Sequence, residues 1–153
     1  MSTNNPVMVK KQRRGTAILE TPDGILMNSM EKDKFILPGG RAEKGESRIE
    51  AVVRELREET HLHASVVMEL FEHTKPPRPG KKFQNYHKVF YVKASGKVAI
   101  GNEVKHIGYY KPGIDSIDGR KVSWIHKNIL KKYYKLRESK PELFKLIDEF
   151  NAF

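Results

Sequence analysis

Cysteine is absent from the 153 residues. That excludes a disulfide framework and thiolate chemistry, and it fits a reducing compartment. No apolar run approaches the ~18 residues that a membrane-spanning helix needs. The polar start, Met1 to Pro6, lacks the apolar centre of a secretory signal. Internal repeats and low-complexity segments are missing too. Acidic residues are the scarcer charge: 19 Asp and Glu stand against 29 Lys and Arg, which leaves +10. The expectation is a soluble, cytoplasmic protein with no membrane partner and some anionic one. At 38% hydrophobic, a chain of this length suits one domain with one core. We expect a flexible segment over 1–12 and a single domain over 13–153.

The positive charge gathers in three places. Lys10, Lys11, Arg13 and Arg14 form one cluster, Lys81 and Lys82 another, and Lys127, Lys131, Lys132, Lys135 and Arg137 a third. Polyphosphates, RNA and plain solubility all fit such clusters. The six histidines lack the spacing of a zinc site.

Strand signals recur along the chain. Gly15 to Glu20 reads as a strand, Thr21-Pro22-Asp23-Gly24 as a turn, and Ile25 to Met27 as a second strand. Ala64 to Phe71, Tyr86 to Ala94, and Lys121 to Ile125 around Trp124 are further strand candidates, and Lys34 to Leu37 leads into Pro38. Thr74 to Gly80 holds three prolines and must be a loop. Ile129, Leu130, Tyr133 and Leu136 suggest a helix. Another helix carries Leu143, Leu146, Ile147 and Phe150, with Ser139 to Glu142 as its cap. Mixed strands around a central helix, with helices at the end, point to an α+β or α/β fold.

The central helix has the clearest signals. Ser47 and Glu50 make a capping box, and Ile49, Val52, Val53 and Leu56 recur at helical spacing, so they are expected to be its buried stripe. At 100° per residue, Glu55, Glu58 and Glu59 fall together roughly 115° round from that stripe. Like charges at this spacing repel by a few tenths of a kcal/mol, roughly, per pair. Either Arg54 and Arg57 neutralise a solvated face, or the row holds a hard cation such as Mg²⁺ or Mn²⁺. Just upstream, Leu37-Pro38-Gly39-Gly40 lets the backbone turn sharply and bare a carbonyl.

Gly40, Glu46, Arg54, Glu55, Leu56, Glu58, Glu59 and Leu62 match G-x5-E-x7-R-E-U-x-E-E-x-G-U, where U is bulky and apolar. This stretch resembles the Nudix box, the signature of hydrolases of nucleoside diphosphates linked to another moiety. His61 stands where the family carries Gly, a left-handed helix cap, and His accepts positive φ better than most residues. The resemblance implies an α/β fold, an α/β/α sandwich with the box helix against a mixed sheet. It implies Mg²⁺ (or Mn²⁺) held by Glu55, Glu58, Glu59 and the Gly40 carbonyl, with Glu46 closing the loop. It implies that Arg54 orients a carboxylate and that Glu58 or Glu59 is the general base. Relatives often carry a further glutamate in a later loop, which makes Glu103 another metal candidate.

For the substrate, Arg13, Arg14 and Arg41 are candidates to reach phosphates, and Phe35, Phe83 or Tyr86 to stack on a base. A (deoxy)nucleoside triphosphate ranks first among small-molecule nucleotides. An ADP-ribose-type sugar ranks second, on Pro77 lying fifteen residues beyond Leu62. A nucleic-acid partner, through a decapping-like or binding role, is the reading of another class, and a homodimer stays open.

Overall fold

The computed structural model describes residues 10–30, 34–74, 79–80 and 83–150. The strands are β1 (Lys10–Ile18), β2 (Glu20–Thr21), β3 (Gly24–Ser29), β4 (Lys34–Ile36), β5 (Gly39–Arg41), β6 (His63–Thr74), β7 (Phe83–Ser95), β8 (His106–Tyr110), β9 (Ser116–Ile117) and β10 (Arg120–Val122). The helices are α1 (Arg48–Thr60), α2 (Trp124–Ser139) and α3 (Pro141–Phe150). One sheet has the order β5-β1-β7-β6, with β1 and β7 parallel and the other pairs antiparallel. The other has the order β2-β3-β4-β10-β9, with β8 on β3, and β4 and β10 run parallel. Both sheets are therefore mixed. No helix among the described residues is long and apolar enough to cross a membrane.

Alternation along β1 separates the layers. Ala17 joins a cluster with Val52 and Leu56 of α1, while its neighbour Ile18 joins one with Tyr133 of α2 and Phe144 of α3. So α1 covers one face and the terminal helices cover the other, which is the expected α/β/α layering. The terminal helices are also tied by charge. Glu20 accepts from Tyr133 Oη at 2.8 Å and from Arg137, whose second nitrogen donates to Asp148 at 3.1 Å.

Several sequence expectations shift. β1 begins at Lys10, so residues 10–12 pair with β7 instead of belonging to a flexible lead. Trp124 starts α2 and is 58% exposed, so the strand expected around it ends at Val122. Ser139 closes α2, its hydroxyl donating to the Leu136 carbonyl at 3.0 Å, and does not cap α3. The loop prolines Pro76 and Pro77, and the pair Lys81 and Lys82, lie outside the described residues.

On α1 the capping box forms as expected, with Ser47 Oγ accepting from the Glu50 amide at 3.1 Å. The buried stripe is different. Ile49 and Val53 are 47% and 37% exposed, while Val52, Leu56, Glu59 and Thr60 are buried. The cause is Gly15: a Cβ there would sit 2.3 Å from the Arg48 carbonyl oxygen and 3.0 Å from Val52 Cβ. The helix rides so close to β1 that its contact line runs through residues 48, 52, 56 and 59. That line carries one carboxylate, Glu59, onto the packed face.

His61 ends the helix at φ 64° and ψ 14°, the left-handed cap that the family's glycine would take, and its amide donates to the Arg57 carbonyl. A side chain in that region is strained by roughly 1 kcal/mol or more, and glycine returns part of this as unfolded-chain entropy. His61→Gly is therefore expected to raise stability by about 0.5–1 kcal/mol, or ~2–3 °C in Tm. A lower melting temperature by calorimetry would contradict the strain.

Candidate functional site

The carboxylates meet at the edge of the first sheet, where β5 is formed by Gly39, Gly40 and Arg41. Glycine matters twice there, at Gly39 for the backbone and at Gly40 for the seat of Glu55. A Cβ on Gly40 would stand 2.6 Å from Glu55 Cδ, and one on Gly39, at φ 141°, would stand 2.0 Å from the Gly15 carbonyl oxygen. The bare edge lets Glu55 lie against the strand and lets the Gly39 amide donate to Glu59 Oε1 at 2.9 Å.

Arg54 is the hub of the cluster. It donates to both Glu46 oxygens at 2.8 and 2.9 Å, to Glu55 at 2.9 Å, to Glu58 at 3.3 Å and to the Arg41 carbonyl at 3.3 Å. Its strongest hold is on Glu46 and not on Glu58 one turn away. That hydrogen bonding draws the Glu46 carboxyl down to about 2 and raises the arginine. Glu46 in turn accepts from the Glu43 amide at 3.0 Å, which closes the loop as the sequence suggested.

Burial sets the other carboxylates apart. Glu59 is 2% exposed, and burial pushes its carboxyl up to about 8 against the opposing Gly39 amide and the Asn28 side chain. Its Oε2 and both polar atoms of Asn28 are buried without a hydrogen-bond partner of normal geometry. Glu55 is also raised, mainly by burial, with Arg54 opposing. Glu58 is the more open member, its side chain 38% exposed.

The loop after β7 grips the same end of α1. The amides of Ala99, Gly101 and Asn102 donate to the carbonyls of Thr60, Glu59 and Glu58 at 3.0, 2.9 and 2.9 Å. Those are helix-terminal carbonyls with no partner inside the helix. Glu103 follows in the same loop, exposed and at φ 62°. Among the described residues, no three acidic or histidine side chains already stand close enough to hold a metal ion, and Arg54 pairs with Glu46, Glu55 and Glu58.

Of the substrate candidates, Arg14 and Arg41 flank the cluster as neighbours across β1 and β5. Arg41 is exposed. Burial lowers the Arg14 guanidinium, with Glu59 and Glu55 opposing through their charge. The Arg14 side chain makes no hydrogen bond or close ion pair with another described residue. Phe35 is corrected: it is 0% exposed, in the core with Ile117 and Val122, and packs where Gly108 has no side chain, so no ring face is offered to a base. Phe83 is 48% exposed at the start of β7, and Tyr86 carries Lys11 over its ring at 5.3 Å.

Sequence reasoning missed Asn28 and the hold of the loop at 99–102 on the end of α1. It also missed a buried group of histidines, His73, His87 and His126, next to Arg14. No local pattern marks them; they meet only through long-range pairing.

Comparison with known proteins agrees with this geometry. The NUDIX domain model matches residues 10–143. A crystal structure of a protein assigned to the nudix hydrolase family from Chromobacterium violaceum superimposes at a TM-score of 0.77, with 34% identity, over 95% of this chain and 92% of that one. The solution structure of the E. coli ORF135 protein, 23% identical, shares the fold at a TM-score of 0.68 over 87% of this chain and 95% of that one. A Bacillus subtilis (strain 168) protein assigned as an 8-oxo-dGTP diphosphatase is 31% identical over 96 residues; the alignment spans 61% of each chain. The family model covers most of the chain, and the Chromobacterium relative matches it almost end to end. The chain therefore belongs to the NUDIX domain family of hydrolases, which act on phosphoanhydride bonds.

Proposed function

We propose that the protein is a metal-dependent pyrophosphohydrolase of (deoxy)nucleoside triphosphates. The observation that carries the reading is Glu59 Oε2, a buried carboxylate oxygen beside the Asn28 side chain with no hydrogen bond of normal geometry, next to a Glu55 seated on bare Gly40. An unmet acceptor of this kind is costly unless something occupies it. The donors present are hard oxygens, which suit Mg²⁺ or Mn²⁺. Glu55, Glu58, Glu59 and the Gly40 carbonyl would hold the cation, with Glu46 and Glu103 in outer positions. Bound there, it supplies Lewis acidity to the phosphate oxygens and to an attacking water.

The chain's own residues do the rest. Arg54 fixes Glu46, Glu55 and Glu58 in one cluster. Glu58, with one oxygen outside the grip of Arg54, accepts the proton of the attacking water, while Glu59 is seated too deeply to meet it. Arg14 and Arg41 balance phosphate charge at the cluster's flank. The name of the Bacillus relative supports a nucleoside triphosphate as the substrate class, and the net charge of +10 favours capture of any polyphosphate.

The test is hydrolysis of a panel of nucleoside triphosphates and diphosphate-linked sugars, with products identified. Turnover is expected with Mg²⁺ or Mn²⁺, releasing a nucleoside monophosphate and pyrophosphate from triphosphates. It should vanish in excess EDTA and return with added cation. Undiminished turnover in EDTA, or cleavage confined to sugar-linked substrates, would sink this reading.

A further inference from the structure

Glu58 and Glu59 stand in the last turn of α1, which ends at Thr60. A helix end does not by itself hold a side chain still. Its last four carbonyls have no partner within the helix, and such ends fray. The end is also unfavourable for acids, because the helix dipole places partial negative charge there. Glu55, one turn earlier, is seated on Gly40 and held by Arg54. Glu58 and Glu59 need a further constraint on their backbone.

The loop between β7 and β8 supplies it. The His61 amide meets the Arg57 carbonyl, and the amides of Asn102, Gly101 and Ala99 meet those of Glu58, Glu59 and Thr60. All four terminal carbonyls are thereby satisfied, three of them by one loop. Each of those donors also turns the positive end of a peptide dipole towards the negative end of the helix. Further on, the Lys105 amide donates to the Ser29 carbonyl at 2.7 Å, which fixes the loop to β3. Ser29 follows Asn28, whose side chain lies beside Glu59. The loop thus straps the helix end that carries Glu59 to the strand that lies beside it.

Gly101 is what lets the strap come so close. A Cβ there would stand 1.8 Å from the Glu58 carbonyl oxygen, and 2.8 and 2.9 Å from the carbonyl carbons of Glu58 and Glu59. These are backbone atoms, so no flexible side chain can yield. Gly101 is not among the residues at positive φ, so the position demands space and not an unusual conformation. Its neighbours Ile100 and Asn102 are exposed. The grip on the helix is therefore made by main chain.

A loop that caps a helix ordinarily contributes stability alone. Here the capped turn carries two of the three carboxylates in the row. We propose that Gly101 is a positioning residue: the main-chain strap it permits fixes Glu58 and Glu59 where a divalent cation binds. A side chain at this position lifts the strap, releases the last turn and weakens the hold on the cation. The inference rests on the metal-dependent reading above.

The test reads cation binding to the protein without substrate, from the electron paramagnetic resonance of free Mn²⁺. Gly101→Ala is expected to weaken Mn²⁺ binding by ~10-fold or more, as loss of a group that orients metal ligands does. With a displacement of about 1 Å at the carboxylates, turnover of a nucleoside triphosphate should fall by up to ~10²-fold. Ser47→Ala separates positioning from stability: it loosens the other end of the same helix, lowers the melting temperature and leaves Mn²⁺ affinity unchanged. A second measurement needs no variant, and so stands even if Gly101→Ala does not fold. Coupling is reciprocal, so Mg²⁺ bound to the wild-type protein should slow amide hydrogen exchange at Gly101 and Asn102. Equal Mn²⁺ affinity in Gly101→Ala and wild type, an equal loss in Ser47→Ala, or loop exchange indifferent to bound Mg²⁺ would overturn the strap while leaving the hydrolase intact. A wild-type protein that binds neither cation would instead remove the metal reading, and the strap with it.

Discussion

Glu59→Gln is expected to cut turnover by at least ~10²-fold, yet to make the metal-free protein more stable near pH 8. Burial holds the Glu59 carboxyl at about 8, against 4.5 as its ordinary value. Between those two values the native protein keeps a proton that the unfolded chain gives up. The proton's contribution to stability is complete below pH 4.5 and is lost as pH rises through about 8. At 1.36 kcal/mol per unit, the loss across that window is roughly 4 kcal/mol. Glutamine keeps the shape and can still accept from the Gly39 amide, but it has no proton to lose. Wild type and variant should therefore melt together near pH 5 in EDTA and diverge by roughly 10 °C at pH 8. Parallel melting curves would show that Glu59 is not buried as a strained acid. A near-normal rate with metal would remove it from the catalytic cluster.

Acid should destabilise the protein through its histidines. Burial, then Arg14 and His73, holds His87 at about 3 instead of 6.5, and burial with His87, Arg14 and His73 lowers His126 as well. Below pH 6.5 the unfolded chain takes up protons that the native rings refuse. Their contribution is complete above pH 6.5 and is lost as pH falls towards 3. By pH 5 the His87 ring alone costs roughly 2 kcal/mol, and His126 adds to it in the same direction. Glu59 has the opposite slope over part of this range, so the measurement belongs in the Glu59→Gln background. There the urea midpoint should fall steeply from pH 7 to pH 5. Adding His87→Gln and His126→Gln should flatten that fall, though at some cost in stability at neutral pH. A midpoint indifferent to pH would mean that the rings are protonated or solvated in the native state.

The glutamate cluster was legible in the sequence because the rules that make it are local. Ser47 and Glu50 set the helix start within one turn, the 3.6-residue repeat aligned Glu55, Glu58 and Glu59, and His61 took the left-handed cap that its position demanded. Gly39 and Gly40 were recognisable as a bare edge, and the structure shows that a side chain on either would strike the neighbouring strand or Glu55. The same local reading went wrong where packing had a choice. Ile49 and Val53 fit an apolar stripe as well as Val52 and Leu56 do, but only the second pair is buried, because Gly15 draws the helix down along one line. Phe35 looked available for stacking until β4 paired with β10 and sealed it in the core.

The sequence by itself determined a capped helix with three carboxylates and a glycine edge, since each of these depends on residues a few positions apart. Only the tertiary structure decided which carboxylate loses its water and which stays open. Glu59 is buried because the helix rests on β1 and the Gly101 loop covers its end. Only the tertiary structure made a row of Arg41, Arg14, His87 and His73, through one parallel and two antiparallel strand pairings that join separate segments of the chain. Desolvation and strand register arise from contacts between distant segments, and no local spacing encodes them.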